Sequence, residues 1–141
     1  MKQDDCVFCK IISGEIPSKT IYEDEEFKVI FDIAPATRGH AIIIPKKHVT
    51  NIFEIPDDMA SHIYLLAKKI AIAFRQVFDM DGFNVLQNNG ELAGQTVFHL
   101  HMHLLPRYKT DQVTIRWTQG SMPENADEII EQIKKIMNTK V

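Results

Sequence analysis

Hydrophobic positions along the chain repeat in two periods, and the changes between them mark out the elements. Phe8, Ile11 and Ile12 fall at helical spacing between Asp5, a capping residue type, and Gly14, a terminator, which predicts a short helix near the start. Thr20–Tyr22 and Phe27–Asp32 read as strands joined by the acidic turn Glu23-Asp24-Glu25-Glu26. Pro35 and Gly39 punctuate a loop, and Ala41-Ile42-Ile43-Ile44 is an unbroken apolar run ending at Pro45, the pattern of a strand buried on both faces.

The period then lengthens. Ile63, Leu66, Ile70 and Phe74 recur every three or four residues, with Ala67, Ala71 and Phe78 widening the stripe. Pro56 at the first helical position and Asp57 and Asp58 in the first turn suit the positive end of a helix of about twenty residues. Gly82–Gln87 and Thr96–Leu105 read as strands flanking the turn-forming Asn88-Asn89-Gly90. Glu124–Met137 reads as a terminal helix with Ile129, Ile130, Ile133 and Ile136 on one face. Long parallel crossovers are scarce, so the expected class is α+β with a mostly antiparallel sheet, one long helix and a C-terminal helix.

Size and charge narrow the field. The chain has 141 residues and a mass of 16.2 kDa, one domain's worth at roughly 100–200 residues per domain. Sixteen Lys and Arg stand against nineteen Asp and Glu, for a net charge of -3, which lacks the basic footprint of a nucleic-acid binder. The apolar run at Ala41–Pro45 is far short of the roughly 20 residues that a membrane span needs, so no membrane partner is expected. At the N-terminus Met1-Lys2-Gln3 is followed by Asp4 and Asp5 rather than by an apolar stretch, so no signal peptide is expected and the expected location is cytoplasmic. The chain has only two cysteines, Cys6 and Cys9, and in that compartment they point to metal or redox chemistry rather than a disulfide framework.

The densest chemistry is His99-Leu100-His101-Met102-His103. Strand alternation puts the three histidines on one face, each about 6.5–7 Å from the next, and Phe98, Leu100, Met102 and Leu104 on the other, core-facing side. Such a face could be merely solvated. It could ligate a metal, since imidazole is a common ligand. It could also present a nucleophile, because an imidazole with an ordinary pKa near 6.5 is largely neutral at pH 7 and attacks phosphorus.

The run His99-Leu100-His101-Met102-His103-Leu104-Leu105 fits the His-x-His-x-His-x-x signature, x hydrophobic. Phe31-Asp32-Ile33, Gly39-His40, Ile44-Pro45-Lys46-Lys47-His48, Asn88-Asn89-Gly90 and Gly94-Gln95-Thr96-Val97-Phe98 occur in the matching order. On these motifs the chain resembles the histidine-triad (HIT) family, in particular its Hint-like bacterial branch, over about residues 6–108. A divergent segment, 109–141, completes a single domain, 1–141. The resemblance implies a HIT-like fold and a homodimer that hydrolyses or transfers at the α-phosphate of nucleoside phosphoramidates, adenylated compounds or dinucleoside polyphosphates, with a purine nucleotide as substrate. It implies His101 as the nucleophile that becomes nucleotidylated, held by the His99 carbonyl, with His103 and His40 lining the phosphate and the Thr96 hydroxyl near phosphate or leaving group. Many relatives carry serine where this chain has Thr96. By the same resemblance the Gln95 region would join Thr96 at the phosphate or leaving group, Asp32 would hold the ribose hydroxyls, Asn88 would bind the ribose or phosphate side, and Phe8, Ile11, Ile30 and Ile33 would sandwich the base. The competing reading is a non-catalytic nucleotide- or zinc-binding interaction protein.

Read alone, Cys6-Val7-Phe8-Cys9 is a redox pair, two buried thiols, or half of a metal site that needs two more ligands. In zinc-bearing relatives two N-terminal cysteines join two histidines, which implies Cys6, Cys9, His48 and His99 here. A closed set of two thiolates and two imidazoles makes zinc structural rather than catalytic. His62, Arg107 and Trp117 have no assigned task. Arg107 could reach a distal phosphate or form a structural ion pair.

Overall fold

A computed structural model describes residues 4–138; Met1, Lys2 and Gln3, on which the reading of the N-terminus partly rests, lie outside the described residues. The elements are α1 (Val7–Ser13), β1 (Thr20–Glu23), β2 (Phe27–Phe31), β3 (Ala41–Pro45), α2 (Asp57–Val77), β4 (Gly82–Leu86), β5 (Met102–Arg107) and α3 (Ala126–Met137). Five strands form one sheet in the order β1-β2-β3-β5-β4, and every pairing is antiparallel, as the expected α+β class requires.

The central strand β3 is buried along its whole length, and its alternation supplies both sides of the sheet. Ala41 and Ile43 join Phe27, Val29, Met102 and Leu104 under α2, whose Met59, Ile63, Leu66, Ala67, Ile70 and Phe74 close the larger core. Burying side chains of that size contributes about 1.5–3 kcal/mol each. Ile42 and Ile44 face the other way and meet Ile30 and, on α1, Phe8, Cys9 and Ile11. His103 stands opposite Ile42 across the β3–β5 ladder, so it belongs to this α1 side of the sheet.

Several local details differ from expectation. The N-cap of α1 is Cys6, not Asp5: its Sγ lies 3.4 Å from the Cys9 backbone N–H and accepts from it. Pro56 caps α2 rather than opening it. The last strand begins at Met102, not Thr96, and runs on through Pro106. The ladder stops there because its neighbour ends at Pro45, which has no N–H to donate. The Leu100 N–H instead reaches the Val49 carbonyl at 2.7 Å, and the Pro45 carbonyl is taken by the His99 ring. Strand alternation therefore does not extend back to Phe98, which is half exposed rather than in the core. The terminal helix α3 forms as its pattern predicts but buries none of its residues within the described chain. Gly39 ends the loop between β2 and β3 at φ +87°, and a Cβ there would stand 2.8 Å from the Phe78 ring, so both conformation and space require glycine.

Candidate active site and metal cluster

Two groups of side chains gather where β3, β5 and α1 meet. In the first, α1 brings Cys6 and Cys9 against the segments that follow β3 and precede β5. Cys6 Sγ lies 3.3 Å from His99 Nδ1, Cys9 Sγ 3.6 Å from the same nitrogen, and Cys9 Sγ 3.3 Å from His48 Nδ1. All four ligand-type atoms fall within 4.8 Å of one another. With Zn–S of about 2.3 Å and Zn–N of about 2.0–2.1 Å, a tetrahedron has S···N edges of about 3.5 Å, so these spacings fit the ion. The His99 Nε2–H donates to the Pro45 carbonyl at 2.8 Å, which leaves the Nδ1 lone pair facing the thiols. Burial lowers the His99 pKa to about 4, so its ring is neutral and able to ligate. Burial also pushes the Cys6 thiol up, a cost that a bound cation would offset. Both cysteines are free thiols.

In the second group, the peptide after His99 turns His101 inward. His101 Nδ1–H donates to the His99 carbonyl at 2.8 Å, which leaves Nε2 with its lone pair. The Phe8 ring stands edge-on to His101 with centroids 4.9 Å apart, so α1 holds the imidazole from the side. Burial lowers the His101 pKa and keeps the ring neutral. His103 Nδ1 lies 3.0 Å from His40 Nε2, and Asp32 Oδ2 lies 3.6 Å from the same His40 nitrogen. Burial pushes His103 down to about 4 and His40 down as well, against the pull of Asp32. Asp32 divides its oxygens: Oδ1 accepts the Ala34 N–H at 2.8 Å and shapes the turn, while Oδ2 faces His40.

The remaining candidates fall into different positions. Ile33 is exposed at the mouth of this region, whereas Phe8, Ile11 and Ile30 are buried side by side, with Ile30 as the floor. Thr96 is exposed and borders a cavity of about 310 Å³ with Asp5, Val7 and His48. Asn88 Nδ2 donates to the Gly94 carbonyl at 3.4 Å. The Gln95 side chain is fully buried, and its amide is used within the protein: Nε2 donates to the Thr50 and Val97 carbonyls and Oε1 accepts the Gly90 N–H. It builds the loop that carries Thr96. Arg107 is a structural clamp, holding Asp111 at 2.8 Å, the Asn84 side chain and the Val113 carbonyl. His62 pairs with Glu26 on the surface, and Trp117 is exposed. Sequence reasoning missed the Pro45 carbonyl and the placement of Phe8 against His101. Backbone groups carry no residue-type signal, and an apolar helix position does not announce which ring it supports.

Histidines gathered at the end of a five-stranded antiparallel sheet, beside a thiol–imidazole cluster, delimit a narrow class of protein. A family model for the HIT domain matches residues 13–110, and the chain belongs to the HIT family. It is 44% identical over 136 residues to "Protein hit" of Bacillus subtilis, covering 94% of each chain. It is 35% identical to adenylylsulfatase HINT3 of Arabidopsis thaliana over 96% of this chain and 68% of that one. It is 44% identical to adenosine 5'-monophosphoramidase HNT1 of Saccharomyces cerevisiae over 72% of this chain and 62% of that one. The crystal structure of a HIT family member from Bacillus subtilis superposes with a TM-score of 0.90 at 42% identity, covering 97% of this chain and all of the other. A Zn-bound histidine triad family protein from Mycobacterium smegmatis superposes with a TM-score of 0.74 at 36% identity, covering 94% and 97%. Among the described residues no helix is long and apolar enough to cross a membrane.

Proposed function

We propose that this protein is a nucleotide hydrolase or transferase that cleaves at the α-phosphate through a nucleotidyl intermediate on His101. The observation that carries this reading is the 2.8 Å bond from His101 Nδ1 to the His99 carbonyl, which leaves Nε2 unprotonated and aimed by its own backbone. Two relatives are named for adenylylsulfatase and adenosine phosphoramidase activity, which supports substrates with an adenylyl group on a leaving atom.

In the first step His101 Nε2 attacks phosphorus, a P–N(His) bond forms, and the bond to the leaving group breaks. A leaving amine takes a proton from solvent, whereas a leaving oxyanion departs as the anion. In the second step water attacks the same phosphorus and gives up a proton to solvent, the P–N(His) bond breaks, and the nucleoside monophosphate leaves with the His101 Nε2 lone pair restored. His103 and His40 line the phosphate and stabilise the charge that grows on its oxygens. Asp32 receives the ribose hydroxyls, with Asn88 beside them. Thr96 sits on the leaving-group side, Gln95 supports its loop, and Phe8, Ile11, Ile30 and Ile33 form the base pocket, suited to a purine.

Cys6, Cys9, His48 and His99 would hold zinc, which ties α1 to the segment carrying His101. Pairing with a second copy belongs to the same reading. β4 is an edge strand, and among the described residues the isoleucine face of α3 is buried at no position, with Ile130, Ile133 and Ile136 exposed.

The test is intact-mass analysis of protein quenched during turnover of adenosine phosphoramidate. An adenylyl adduct on His101 is expected, together with its absence and loss of turnover in His101→Ala. Near-normal turnover by that variant would overturn the covalent route and leave the non-catalytic binding reading in its place.

A further inference from the structure

The loop from Asp32 to His40 closes on itself. The Asp32 N–H donates to the His40 carbonyl at 3.0 Å, and the His40 N–H donates to the Thr37 carbonyl at 3.1 Å. This closure brings the Ala36 backbone N–H to 3.0 Å from His40 Nδ1. A peptide N–H only donates, so Nδ1 of His40 must present its lone pair. A neutral imidazole then carries its proton on Nε2. That nitrogen faces His103 Nδ1 at 3.0 Å and the Asp32 carboxylate at 3.6 Å, and both accept. His103 Nδ1 is thereby an acceptor as well, and its proton lies on Nε2. The opposite arrangement would set the Ala36 N–H against a ring N–H and turn a lone pair of His40 toward a carboxylate.

We propose that the Ala36 N–H is the positioning group of the phosphate site. It directs a one-way chain, Ala36 N–H to His40 Nδ1 and His40 Nε2–H to His103 Nδ1, which leaves His103 Nε2–H as a neutral donor for a phosphate oxygen. The proposal rests on reading His101 as the nucleophile only where it speaks of rate; the proton positions stand on geometry alone. It also separates this group from a metal centre. Asp32, His40 and His103 offer ligand-type atoms within 4.8 Å of one another, the composition of a two-histidine, one-carboxylate site. A metal on His40 Nε2 would force the ring proton onto Nδ1, against the Ala36 N–H. The chain therefore favours hydrogen bonding to an anion over metal ligation at these three residues.

Two measurements test this on the full-length protein. Long-range proton–nitrogen correlation spectra at neutral pH should show His40 and His103 with Nδ1 unprotonated and Nε2 protonated. A protonated Nδ1 on His40 overturns the proposal, whatever the activity. Replacing the peptide N–H of residue 36 by an ester oxygen, through the α-hydroxy analogue of alanine, deletes the donor and leaves the chain geometry nearly intact. The ester should lower kcat for adenosine phosphoramidate about tenfold, leave KM within about twofold and still form the adduct on His101. It should also blur the single tautomer of His40. Ala36→Gly keeps the N–H and should retain the single tautomer of His40. An ester protein with unchanged kcat and an unchanged His40 tautomer overturns the proposal. Absence of any adduct in the unmodified protein defeats the proposed function instead, while the tautomer spectrum still decides the lock.

Discussion

The thiol–imidazole cluster and the proposed phosphate site lie on one side of the same sheet and share a peptide, yet their histidines are wired in opposite senses. His99 gives its Nε2 proton to the Pro45 carbonyl and turns a bare Nδ1 toward two thiols. His40 receives the Ala36 N–H on Nδ1 and turns a protonated Nε2 toward His103. A carbonyl behind the His99 ring leaves a lone pair facing the thiols, and an amide behind the His40 ring leaves an N–H facing His103. His101 stands between them, with a carbonyl behind Nδ1 that leaves the lone pair on Nε2. Imidazole is the same side chain in all three places, and the backbone group beside it selects the nitrogen that carries the proton.

The sharpest way to break this division is at His101. His101→Ala is expected to lower kcat by at least about a thousandfold, because no other neutral ring presents a lone pair at the phosphate, while leaving the melting temperature within a few degrees. Steady-state kinetics and a thermal melt check both halves.

The metal side should break differently. The double variant Cys6→Ser with Cys9→Ser is expected to lose bound zinc and about 3 kcal/mol of stability, a fall of roughly 10 °C in melting temperature. Its kcat should fall by far less than that of His101→Ala. Metal analysis of the purified protein should give one zinc per chain before the substitutions and none after them. A second equivalent held at Asp32, His40 and His103 would erase the distinction between the clusters.

Removal of the last donor is a milder blow. His103→Ala should cost about thirtyfold in kcat and leave the histidine adduct detectable, since nucleophilic attack survives the loss of one hydrogen bond to the phosphate.

The smallest effect is acidification. Burial holds His103 near about 4 and His40 below its ordinary value. Their neutral forms are kept in the folded state, while the unfolded chain protonates at about 6.5. The unfolded state therefore binds more protons below that pH. The stability that these two rings contribute is complete above about 6.5 and is lost as pH falls toward about 4. Urea titrations at neutral and acid pH should show this decline. The turnover rate should hold to lower pH than a free imidazole of pKa about 6.5 would allow, because burial lowers His40, His101 and His103 together.

Much of the architecture was legible because periodicity is a direct record of burial. The twin-faced run at Ala41–Pro45 and the stripe through Ile63, Leu66, Ile70 and Phe74 formed the elements they imply. Legibility failed where side chains competed with the ladder. Alternation predicted a strand back to Thr96, but Pro45 offers no N–H and its carbonyl goes to an imidazole, so Phe98 left the core. The four metal-type residues were assembled on paper by resemblance, and the fold brings them within ligand distance of one another. Arg107, with two open roles in the sequence, is committed to Asp111 and Asn84.

The sequence by itself determined the period of each main element, the family, and the set of side chains able to do chemistry. These follow from residue type and spacing, which are local. Only the tertiary structure decided which nitrogen of His40, His99 and His101 carries the proton. That choice is made by the Pro45 carbonyl, the His99 carbonyl and the Ala36 N–H, groups that every chain of this length possesses and that acquire a role only when folding brings one of them within about 3 Å of a particular ring.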